Sequence, residues 1–174
     1  MLHLTLLLTL PTAHATPTTT HGEAAVTAAE KWNGTPYQWG GRGTSGNPGM
    51  DCLGVMYRAW GEVTGTSWRA YPVNPSELVA SGLLGVPVEG MAGVMRDQLR
   101  LSQLTEGDAL YFLVAGHEIP DSPLLIDGDA KYWPWHTALY AGNGEVIHAE
   151  PDGVVRRQSI HEIAFDALYV TRLP

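Results

Sequence analysis

Asp51-Cys52-Leu53-Gly54-Val55-Met56-Tyr57-Arg58-Ala59-Trp60-Gly61-Glu62-Val63-Thr64-Gly65 is the stretch on which the fold turns. Val55, Met56, Ala59, Trp60 and Val63 recur at i, i+3, i+4 and i+7 intervals, the spacing of one helical face, and Gly65 closes the segment. Asp51 stands where its carboxylate can accept a free N–H of the first turn. The reading is a helix that begins at Cys52. A helix start carries unpaired N–H groups and the positive end of the dipole, so a cysteine there is favoured as thiolate, and the same N–H groups could hold an oxyanion. The plainer reading is a small buried residue beside a cap, and the rest of the chain has to decide between them.

Upstream, Glu23 to Trp32 is rich in alanine with Ala25, Ala28, Ala29 and Trp32 at helical spacing, and Asn33-Gly34 supplies a stop. Thr35 to Met50 holds glycines and prolines that imply a shaped loop. Downstream, Thr66 to Leu104 is less regular, with a short helix expected after Pro75-Ser76 and another across Val94 to Leu101. Asp108 to Val114 reads as a strand, and Val154 to Gln158 and Ala167 to Thr171 as later ones. Helices first and an antiparallel sheet afterwards make the class α+β.

His136 to Ala141 and Glu145 to Glu150 read as a hairpin around Gly142-Asn143-Gly144, and its register matters. With a three-residue loop the paired numbers sum to 286, His148 lies opposite Ala138, and the His136 and His148 rings share a sheet face. A two-residue turn at Asn143-Gly144 gives 287 and sends the rings to opposite faces. On one face, His136 can take the Cys52 proton while His148 fixes its tautomer, the nucleophile, base and orienter arrangement of a triad.

Five segments now stand in order: Thr35-Pro36-Tyr37-Gln38-Trp39-Gly40-Gly41, Asp51-Cys52-Leu53-Gly54, Leu104-Thr105-Glu106-Gly107-Asp108, His136-Thr137-Ala138-Leu139-Tyr140 and Gly142 to Ala149. Together they resemble the NlpC/p60 family of cell-wall cysteine peptidases, over a span from about Ala24 to the C-terminus. The resemblance implies a papain-like fold, N-terminal helices packed on a central antiparallel sheet. It implies Cys52 as nucleophile, His136 as base and His148 as third polar member, with Tyr37, Asp51 and Leu53 at the substrate or oxyanion side. It also implies peptidoglycan stem peptide as substrate and no cofactor. Leu53 departs from the family's serine, and the stretches Gly65 to Leu101 and Gly116 to Trp135 differ from its usual connections, so a remodelled groove is expected.

Composition bounds the alternatives. The chain has 174 residues, enough for one domain with a core, and a net charge of -8 that argues against nucleic acid or anionic membrane as partner. Met1 to Ala15 reads as a signal peptide, with the apolar run Leu4 to Leu10 and Ala13-His14-Ala15 as a cleavage pattern, and the expected location is secreted or periplasmic. Residues 16–21 read as a Thr-rich linker and 22–174 as the catalytic domain. No integral membrane segment is expected. With one cysteine there is no internal disulfide, and scattered histidines without an HExxH give no zinc site. Asp121, Asp127 and Asp129 lack a calcium-loop pattern, so no metal is expected. Trp133 and Trp135 read as lid packing or substrate contact, and His21, His117 and His161 as surface. A Cys-His amidase or acyltransferase on another substrate, and a catalytically idle binding module, are the competing functions; an inhibitor or regulatory partner is not specified by the sequence.

Overall fold

The computed structural model describes residues 20–173, so the expected signal peptide and residues 16–19 of the linker lie outside the described residues. Among the described residues three α-helices, α1 (His21–Glu30), α2 (Cys52–Thr64) and α3 (Pro75–Ser81), accompany nine strands. The strands are β1 (Arg42–Thr44), β2 (Asn47–Met50), β3 (Val86–Met95), β4 (Ala109–Ala115), β5 (Leu125–Asp127), β6 (Ala130–Tyr140), β7 (Glu145–Ala149), β8 (Val155–Ser159) and β9 (Ala167–Arg172). The main sheet runs β3-β9-β4-β6-β7-β8, with β5 on β6, and every ladder is antiparallel. The class is α+β, as expected. Among the described residues no helix is long and apolar enough to cross a membrane.

Local chemistry explains the ends of the helices. Thr20 and Glu23 form a reciprocal capping box, so α1 begins at His21 with Thr20 as its N-cap. Asp51 caps α2, and Gly65 ends it in a left-handed conformation (φ 72°) that a side chain would resist.

β4 is apolar without alternation because both of its faces are covered. Tyr111 and Leu113 join Leu139 and Ile147 against α1 and α2, while Leu110 and Phe112 join Ala138, Tyr140 and Val146 on the other face, beneath Ile163 and Phe165. Each large side chain so buried contributes about 1.5–3 kcal/mol, enough to override the period-2 pattern of a one-sided sheet.

Three expectations need correction. Val94 to Leu101 is not a helix: β3 continues to Met95 and short 3-10 turns follow, because Ala92, Val94 and Met95 pair with β9. Gly90 (φ 72°) and Gly93 (φ 97°) bend that strand through left-handed positions. The strand that carries His136, β6, starts at Ala130 rather than His136, and it accommodates Pro134 at a bulge where the partner of Phe112 is His136 and that of Leu113 is Pro134. The loop after Thr35 contains the small β1–β2 hairpin. Asp127-Gly128-Asp129 is the turn between β5 and β6.

Candidate active site

Asp51 organises the start of α2. Its Oδ1 accepts the Gly54 N–H at 2.7 Å and lies 2.5 Å from Arg42 Nη1, and its Oδ2 accepts the Gly40 N–H at 3.0 Å. Both oxygens are thus occupied by framework partners, which ties the glycine loop to the helix that carries Cys52. Gly54 is required by proximity: a Cβ there would stand 2.3 Å from the Gly41 carbonyl oxygen.

Cys52 is surrounded by protein yet keeps a partly exposed edge. Burial first, then the Asp51 carboxylate, pushes its thiol pKa up; the Thr137 hydroxyl and main chain and the Leu53 main chain face the sulfur and act in the opposite sense. The Thr137 hydroxyl is buried and has no hydrogen-bond partner elsewhere among the described residues. Tyr37 is half-buried nearby. Burial, then the charges of Cys52 and Asp51, raises its phenol to about 12, so it stays protonated and able to donate at neutral pH.

The hairpin resolves in favour of the three-residue loop. Gly142, Asn143 and Gly144 all take left-handed φ (82°, 52° and 78°), and the ladder pairs Leu139 with Ile147 and Tyr140 with Val146, a sum of 286. His136 and His148 therefore meet: Nε2 of His136 lies 2.6 Å from Nδ1 of His148, with the rings edge to face. Phe112 stacks on His136 from below and Trp135 from the side. The second His148 nitrogen, Nε2, lies 2.8 Å from Oε1 of Gln158 on β8.

The β6–β7 ladder ends at Leu139 and Ile147, so the strands separate beyond it. His136 and Thr137 point to opposite faces there, and the separation lets both open onto the same cleft as Cys52. The sequence reading expects the sulfur within hydrogen-bond reach of His136. Asp51, Thr137 and Leu53 are the groups that act on the thiol, and among the described residues Cys52 and His136 share the cleft without a hydrogen bond between them.

Burial, then the neighbouring His148, holds His136 down at about 3, and burial likewise lowers His148. The folded chain therefore keeps both rings neutral where the unfolded chain, with an imidazole near 6.5, takes up protons. Stability contributed by the pair is complete above about pH 6.5 and is lost as pH falls toward 3, by an amount on the order of a few kcal/mol. Urea midpoints at pH 7 and pH 5 should differ accordingly, and His136→Gln should flatten the difference; equal slopes in both chains would contradict a neutral buried pair.

The cleft, about 470 Å³, is lined by Cys52, Leu53 and His136 together with Trp39, Val73 and Ile119. Trp39 is 85% exposed at its rim. Val73 and Ile119 come from the two segments that departed from the family pattern, and Trp39 from the glycine-containing segment that matched it. Asp121, considered from sequence for a metal, accepts from the Ser76 main chain at 3.0 Å and from the Ser76 hydroxyl, capping α3 from afar. Its own carbonyl accepts from Trp133 Nε1 at 3.1 Å. Trp133 is buried and structural, whereas Trp135 lies along the cleft and covers His136. His21, His117 and His161 are exposed. Gln158, Thr137 and Arg42 escaped the sequence reading; Gln158 alone had a signal, since it shares parity with His148 once β7 and β8 are paired.

The sequence profile of the NlpC/P60 family matches residues 34–172. The chain belongs to the NlpC/P60 family. Protein P54 of Enterococcus faecium is 29% identical over 133 residues, covering 76% of this chain and 19% of P54, so the chain spans about a fifth of that relative's length. Among solved structures, the NlpC/p60 domain of the peptidoglycan hydrolase SagA is 27% identical with a TM-score of 0.52, covering 87% of this chain and 98% of that one. RipD from Mycobacterium tuberculosis, a non-catalytic NlpC/p60 domain protein adapted to peptidoglycan binding, shares the fold at 17% identity and TM-score 0.52, covering 90% and 100%. In this NlpC/P60 member, Cys52 opens α2, His136 lies on β6 and His148 on β7.

Proposed function

We propose that this NlpC/P60 chain is an exported cysteine hydrolase of amide bonds in peptidoglycan stem peptides, with Cys52 as nucleophile, His136 as base and His148 as its orienter. The observation that carries the reading is the His136–His148 contact at 2.6 Å beside a cleft that Cys52 also lines. A binding module of the RipD kind needs none of the three side chains. Because burial raises the thiol and lowers the imidazole, the resting pair is neutral thiol and neutral imidazole, and activation is general-base rather than a standing ion pair.

In this mechanism His136 Nδ1 takes the proton from Sγ as sulfur bonds to the carbonyl carbon. The oxyanion is met by the Leu53 N–H, which faces the sulfur, and by the Tyr37 hydroxyl. Collapse breaks the C–N bond and His136 returns the proton to the leaving amine. Water then gives a proton to His136 as its oxygen attacks the thioester, and the thiol is released. Incubating the protein with purified stem peptides and reading the products by mass spectrometry should reveal a fragment pair differing from the substrate by one water; unchanged substrate would overturn the reading.

One observation favours a second reading, an amidase or acyltransferase on another substrate. The Trp39, Val73 and Ile119 side chains that line the cleft are apolar, and Arg42, the one Lys or Arg lining it among the described residues, is held by Asp51. Turnover of acyl esters or amides in preference to stem peptides would select that reading.

A further inference from the structure

His148 links His136 to Gln158, and the direction of that link decides whether His136 can act as a base. Each neutral imidazole has one N–H and one lone pair. Gln158 presents its carbonyl oxygen to His148 Nε2 at 2.8 Å, and that oxygen can only accept. His148 Nε2 therefore carries the hydrogen and its Nδ1 the lone pair. Across the 2.6 Å contact, His136 Nε2 must then donate, which leaves His136 Nδ1 with a lone pair. Were the Gln158 amide reversed, its N–H would donate, each tautomer would invert, and His136 Nδ1 would bear a proton.

We propose that Gln158 is a positioning residue of this site, holding both imidazoles in the tautomers that leave His136 Nδ1 free to take the Cys52 proton. The proposal rests on the hydrolase reading of the site. Three neighbouring strands build the relay, β6, β7 and β8. Gln158 pairs with Val146 and lies diagonal to His148, whose direct partner is Arg156, and diagonal side chains on one sheet face are within reach of each other. The remaining charged groups acting on His148 are Glu150, which raises it, and Arg156, which lowers it; they are paired with each other at 2.6 Å. His136 is acted on by His148 alone. Gln158 thus gives a neutral chain its polarity without adding a charge that would protonate His148.

Long-range 1H–15N spectra of the full chain at about pH 8 report each ring's tautomer without any substrate. Both histidines should be Nε2–H. Gln158→Met removes the acceptor at similar size, so a population of His136 Nδ1–H should appear, and alkylation of Cys52 by iodoacetamide should slow about tenfold or more, since a wrong tautomer disables the base. Gln158→Glu keeps only acceptors and should restore the tautomers and the alkylation rate at pH 8. Its carboxylate raises His148, so the acid limb of that rate should move to higher pH than in the parent chain. His136 found as Nδ1–H in the parent chain, or Gln158→Met with unchanged tautomers and rate, would overturn the proposal. Correct tautomers together with no cleavage of stem peptides would leave the relay standing and remove the hydrolase reading instead.

Discussion

Cys52→Ala is expected to lower amide hydrolysis by roughly 10⁴-fold or more, the scale on which loss of a nucleophile registers when base and oxyanion donors remain. The same substitution should leave the fold in place. Cys52 keeps a partly exposed edge, and the helix it opens is held by Asp51 and by the buried residues Val55, Met56 and Trp60 rather than by sulfur. Removing one atom at such a position costs far less than the 2–5 kcal/mol of a large core truncation. Stem-peptide turnover and a thermal melt on the same preparation separate the two effects. Undiminished turnover would end the cysteine-hydrolase reading, leaving a binding protein that happens to retain the three side chains.

Asp51→Ala should have the largest effect on stability. Asp51 is 6% exposed and Arg42 9%, so deletion of the carboxylate strands a guanidinium and the Gly54 N–H in the interior and frees the Gly40 N–H of the glycine loop. Breaking a buried pair from one side costs about 3–5 kcal/mol, because the remaining charge loses its partner and regains little water. A urea titration measures the loss, and Asp51→Asn, which keeps one acceptor, should fall between. A loss below about 1 kcal/mol would mean that water reaches Arg42 and that the pair is not a buried one in solution. Activity should fall with stability, since the first turn of α2 and the glycine loop would lose their common anchor.

The helix bearing Cys52 was legible because everything that shapes it is local: an Asp cap, apolar residues on one face and a closing glycine. The same holds for the His136–His148 hairpin, where loop length fixes parity. The cleft wall was not legible, because its contacts join segments distant in sequence. Asp121 looks like a stray carboxylate until the fold brings it to the start of α3. Val94 to Leu101 has residues compatible with a helix, and only pairing with β9, at the other end of the chain, makes its first part a strand. The strand before His136 contains Pro134, and the bulge that admits it depends on β4 as partner. Thr137 and Gln158 escaped for the same reason, since each acquires meaning only from the strand or helix laid beside it.

The hairpin carries a constraint on descent as well as on chemistry. His148 faces His136 because the loop at Gly142, Asn143 and Gly144 has an odd count, whatever its residues are. A single codon lost or gained there would turn the ring of His148 to the opposite side of the sheet while leaving every active-site residue written in the gene. Lineages should therefore tolerate exchange of letters in this loop far better than a change of its length, and an odd-to-even step is a one-event route from enzyme to silent scaffold. Inspection of active-site letters alone would miss such a loss; counting the loop would find it.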